Sequence, residues 1–115
     1  MPRAFDETEI LERVDNDWEF LGEMVQMLAA DGPALLAEIR GSANAGDASS
    51  VGRAAHTLKG MISNFCAADA QARALEVEQI GKGGDLSPLP PALQSLETRV
   101  KVLIADLNDF LSTRA

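Results

Sequence analysis

The chain has 115 residues, 46 % of them hydrophobic, and a formal net charge of −8. That is the length of one domain, spanning residues 1–115, and it is too apolar for a disordered protein. The acidic balance argues against nucleic acid, whose binding is driven by basic residues that neutralise phosphates. No apolar run reaches the ~18 residues a membrane span needs, and MPRAFDETEI has no apolar secretory stretch. Cys66 is the single cysteine, so no internal disulfide is possible, and a reduced, cytoplasmic setting is expected.

In chain order, every predicted element is helical. There is no period-2 alternation and no tyrosine. A short helix over 6–14 presents Ile10, Leu11 and Val14. After VDND, with Asn16 or Asp17 as cap, a long helix over 17–40 carries Leu21, Met24, Val25, Leu28, Leu35, Leu36 and Ile39 at helical spacing. Gly32–Pro33 falls inside it. A kink or break is expected there, because a proline removes a helix hydrogen bond and restricts the residue before it. GSANAGDASS reads as a turn.

A third helix is predicted over 50–66 and a fourth over 68–82. The fourth has a narrow stripe of Ala67, Ala70, Ala74 and Val77, and Gly81, Gly83 and Gly84 are available for its left-handed cap. SPLPP reads as a stiff connection. The last helix, over 91–112, repeats Leu93, Leu96, Val100, Leu103, Leu107 and Phe110 at spacings of three and four.

The only histidine, His56, lies on the third helix. At about 100° per residue, Val51, Ala54, Ala55, Leu58, Met61, Ile62 and Phe65 form one side of that helix. Gly52, Arg53, His56, Lys59, Gly60 and Ser63 form the other, with no carboxylate among them. The apolar side is complete without the imidazole, which therefore points away from the core. Gly52 and Gly60 flank His56 at four residues each way. A helical glycine costs roughly 1 kcal/mol against alanine, so a face bearing two is expected to admit something bulky. Lys59 adds a cation suited to an incoming phosphoryl group. A metal site would need more convergent ligands, and Cys66 is nearly three turns from His56, too far for a Cys–His nucleophile pair. GKGGD lacks the spacing of a phosphate-binding loop.

AHTLKG resembles the H-x-L-K-G signature of histidine-containing phosphotransfer (HPt) domains. ILERVDNDWEFLGEMVQML is similar to the family's lead helix and first bundle helix, SANAGDASSVGRAAHTLKG to its A-x-x-x-D-x-x-x-l-x-x-x-A-H connection, and LEVEQIGKGGD to its L-E-x-x-G-+-x-G-D helix end. The likeness spans nearly the whole chain. It implies an all-α fold: an up-and-down antiparallel four-helix bundle with a short N-terminal lead helix. It further implies that His56 is the phosphoacceptor, that Lys59 holds phosphoryl oxygens, that Gly60 leaves room for a partner, and that Leu58 anchors the histidine from behind. Gly52, Arg53 and Ser63 would meet the partner. The family often has glycine at the positions of Ser63 and Cys66. The implied partners are response-regulator receiver domains and a hybrid histidine kinase. Mg²⁺ would be supplied by the receiver, with no cofactor on this chain, which would act as a monomeric covalent carrier rather than an enzyme. The competing reading is a helical adaptor that binds a receiver or a partner helix without accepting phosphate.

Overall fold

The computed structural model describes residues 3–114. Among these residues there is no strand, and five α-helices follow one another: α1 (Glu7–Arg13), α2 (Trp18–Asn44), α3 (Ala48–Ile62), α4 (Ala68–Gly83) and α5 (Leu89–Ser112). A 3-10 turn, Ser63–Phe65, follows α3. No helix among the described residues is long and apolar enough to cross a membrane.

Three helices begin on an aspartate. Asp6, Asp17 and Asp47 accept from the backbone N–H of Glu9, Phe20 and Ser50, satisfying donors that a helix start leaves without a partner. The four long helices close a ring of contacts, α2 on α3, α3 on α4, α4 on α5 and α5 on α2. Their periodic positions meet inside that ring. Leu21, Leu28 and Ile39 of α2, Leu58 and Ile62 of α3, and Leu96, Leu103 and Leu107 of α5 are fully buried. Met24, Leu35 and Met61 pack at the edge of the core. The alanine stripe before and along α4 is buried as expected.

Three helices depart from the sequence expectations. α2 is continuous through Gly32–Pro33 and runs on to Asn44, so much of GSANAGDASS is helix. Gly32 is buried against Leu28 and Val100, and Leu36 and Ile39 pack the next turns. Side-chain packing on both sides of Pro33 outweighs the one hydrogen bond its ring removes. α3 stops at Ile62, four residues early, and Cys66 adopts the left-handed conformation (φ 54°) that glycine favours. α5 starts at Leu89, taking Pro90 and Pro91 into its first turn, where a missing N–H costs little. α1 braces the end of α3: the Asp6 N–H donates to the Cys66 carbonyl at 3.2 Å, and Arg13 donates to the Ser63 carbonyl at 2.6 Å.

Candidate functional site

The site grows from the pairing of α3 with α4. These helices meet at two glycines. A Cβ placed on Gly81 would lie 2.4 Å from the Gly52 nitrogen, so the two backbones touch there with no side chain between them. Gly52 is accordingly buried. It was expected on the exposed histidine face, to admit a partner; its position instead serves helix packing. Gly60 differs, being exposed, with nothing within 4 Å of where a Cβ would stand.

One turn beyond Gly52 on α3 stands His56, and one turn before Gly81 on α4 stands Glu78. The close approach brings them together. His56 Nδ1 lies 3.0 Å from Glu78 Oε2. The imidazole is 67 % exposed while the carboxylate is 2 % exposed. A neutral imidazole with its proton on Nδ1 donates to that oxygen and turns the Nε2 lone pair outward. Among the described residues, Nδ1 is the ring atom that finds a hydrogen-bond partner.

Glu78 also holds two ammonium groups. Lys59 Nζ approaches Oε1 at 2.7 Å, and Lys82 Nζ approaches Oε2 at 2.8 Å. These are ion contacts, and Oε1 has no aligned hydrogen-bond donor. A carboxylate this buried survives as a charge only when paired. The ammonium of Lys59 first, and then that of Lys82, pulls the Glu78 carboxyl from 4.5 to about 2, with His56 adding to the effect and burial opposing it.

The structure therefore gathers His56, Lys59 and, from α4, Glu78 and Lys82. His56 and Lys82 line one groove with Arg53, whose guanidinium donates to Ser50 Oγ at 3.0 Å. Ser63 is half-buried and turns its hydroxyl to the Gly60 carbonyl at 2.6 Å. The His56 face of α3 lacks a carboxylate of its own, as its residues read, and the carboxylate beside the imidazole, Glu78, arrives from the neighbouring helix. A sequence signal existed: Glu78 follows Ala70, Ala74 and Val77 on the side of α4 that is buried, where a charge needs partners.

A family model for the Hpt domain matches residues 23–110, a stretch that includes all four of these side chains. The chain belongs to the Hpt domain family. The fold is also that of a solved structure, histidine-containing phosphotransfer protein B (HptB) from Pseudomonas aeruginosa PAO1, with a TM-score of 0.89, 18 % identity, and 98 % of each chain covered. No curated protein matches this Hpt domain. Within the Hpt fold, Cys66 occupies a left-handed turn, and burial pushes its thiol pKa up, away from the reactive thiolate.

Proposed function

We propose that this Hpt domain is a phosphorelay intermediate that accepts a phosphoryl group on His56 from a receiver-domain phospho-aspartate and passes it to a second receiver. The observation that carries this reading is an exposed imidazole whose inner nitrogen rests on a buried carboxylate, beside a glycine that opens space in front of it. In the first transfer, the Nε2 lone pair forms a bond to phosphorus while the bond from phosphorus to the aspartyl oxygen breaks. The aspartate departs as a carboxylate. Nδ1 keeps its proton, so the ring gains positive charge as the bond forms, and Glu78 at 3.0 Å faces that charge. Lys59 supplies positive charge beside the incoming oxygens. Transfer onward to a second receiver reverses these changes.

The four long helices are read as an up-and-down antiparallel bundle, since short connections turn each helix back along its predecessor. Mg²⁺ and the acidic cluster around it belong to the receiver in this reading, and Gly60 gives the receiver its approach. Taken alone the domain is a covalent carrier, monomeric and cytoplasmic, serving a hybrid histidine kinase and its receivers.

The test uses a purified receiver loaded with labelled phosphate. The parent should acquire a label that is lost in acid and kept in alkali, as a phosphoramidate is. His56→Gln should acquire none while keeping its helical circular dichroism and its melting temperature. Label on His56→Gln, or binding of a receiver with no label on the parent, would sink the proposal; the second result would favour the adaptor reading.

A further inference from the structure

The helix that carries His56 is held at its end by the lead helix. Past Gly60, α3 has only Met61 and Ile62 before the 3-10 turn Ser63–Phe65. Ile62 and Phe65 fix the inner side of this stretch in the core. The outer side has a bare glycine and a small serine, and a helix end leaves its last carbonyls without partners. Two bonds satisfy carbonyls there. The Ser63 hydroxyl donates to the Gly60 carbonyl at 2.6 Å, and Arg13 Nη1 donates to the Ser63 carbonyl at 2.6 Å. The Arg13 cation also meets the negative end of the α3 dipole. Arg13 comes from α1, whose seven residues are too few to form a stable helix alone. The fold builds that helix deliberately. Ile10 is fully buried, and the left-handed Asp15 and Asn16 (φ 55° and 59°) return their N–H groups to the carbonyls of Glu12 and Leu11, closing the helix just past Arg13.

We propose that Arg13 is a positioning residue for phosphotransfer: by holding the Ser63 carbonyl it keeps the Gly60–Ser63 end of α3 in the shape on which a receiver docks. This rests on the reading in which the receiver approaches His56 over Gly60. At 1.5 Å per helical residue, Ser63 stands about 10 Å beyond His56 along the face. A docking patch of about 800 Å², centred on the imidazole, has a radius of about 16 Å. The Ser63 turn and its bond to Arg13 therefore fall inside that patch. Glycine at position 60 opens the approach, but it also loosens the helix where only two helical residues follow. Arg13 offsets this from the side, at the end of the helix, and leaves the surface over Gly60 bare. It has no hold on the imidazole, which is seated from α4 by Glu78. Chemistry at the ring should therefore be indifferent to Arg13, whereas receiver docking should depend on it.

The test compares two phosphoryl donors on the intact protein: a purified phosphorylated receiver, which must dock, and phosphoramidate, which need not. Arg13→Ala should raise the receiver KM about fivefold, the worth of one ordinary hydrogen bond, with the transfer rate at saturating receiver unchanged. Its rate of phosphorylation by phosphoramidate should equal that of the parent. Arg13→Lys, which keeps a charged donor, should recover most of the receiver KM. In the isolated domain, backbone amides of residues 63–65 should exchange faster in Arg13→Ala and near the parent rate in Arg13→Lys. An unchanged receiver KM would overturn the inference and leave the function standing. So would a raised KM with unchanged amide exchange, since Arg13 would then act by touching the receiver itself. Equal slowing with both donors would trace the effect to the imidazole and would also overturn it. Failure of the parent to take phosphate from either donor would overturn the function and the inference together.

Discussion

Replacing Gly81 by alanine tests whether the contact between α3 and α4 is what seats His56 on Glu78. The added carbon would stand 2.4 Å from the Gly52 nitrogen, 2.7 Å from the Gly52 Cα and 2.9 Å from the Ala48 carbonyl oxygen. All three are backbone atoms, so no side-chain rotation relieves the overlap. Ordinary contact begins near 3.4 Å, so the helices must part by about 1 Å at the crossing. Overpacking of this kind costs about 1–3 kcal/mol or more, and the helix propensity gained from alanine returns about 1 kcal/mol. A net loss of about 1–2 kcal/mol should lower the melting temperature by roughly 5–15 °C. Glu78 and His56 each lie one turn from the crossing, and their 3.0 Å contact cannot absorb such a separation. Thermal melts would measure the first effect, and ring-nitrogen chemical shifts of His56 the second, through loss of its tautomer preference. Gly52→Ala is the control. Its Cβ would meet the Lys82 nitrogen at 3.4 Å and the Glu78 carbonyl oxygen at 3.5 Å, so it should be tolerated. A Gly81→Ala protein that melts at or above the parent temperature would refute the close-approach argument.

Gly60→Ala should stabilise the isolated domain by roughly 1 kcal/mol, because the site is open helix surface, and should slow phosphotransfer; equal transfer rates would remove the access role. Lys59→Ala should slow transfer, and its stability cost should exceed the ~0.5 kcal/mol usual for a surface change, reaching about 1–2 kcal/mol, since the lysine pairs with a buried carboxylate; an unchanged denaturant midpoint would contradict that. The pH dependence follows from Glu78, whose folded pKa of about 2 lies below its ordinary 4.5. Between those values the unfolded chain binds more protons, so the contribution is fully present above pH 4.5 and is lost as the pH falls toward 2. Its size is at most about 3 kcal/mol, and Glu78→Gln should show a correspondingly flatter decline in stability over that range; parallel declines would place the acid sensitivity elsewhere.

Much of this protein was legible in the residue order because the determining interactions are local or periodic. Asp17, one of two cap candidates in the sequence, starts α2 by accepting from an N–H three residues on, and the apolar spacing of α2, α3 and α5 names most of the positions that end up buried. The exposure of His56 follows from the wheel of its own helix in the same way. What sequence could not decide is what arrives from another element. Gly52 and Gly60 are the same residue at the same distance from His56. One faces the backbone of α4 and the other faces solvent, and only the crossing of two helices distinguishes them. Pro33 carries a strong local signal for a break, yet packing on either side holds the helix through it. Glu78 lies 22 positions from His56 along the chain and 3.0 Å from it in space. Its charge is buried on a helix that reads as an alanine stripe, and it is sustained by lysines from two helices, a balance that exists only once α3 and α4 are in contact.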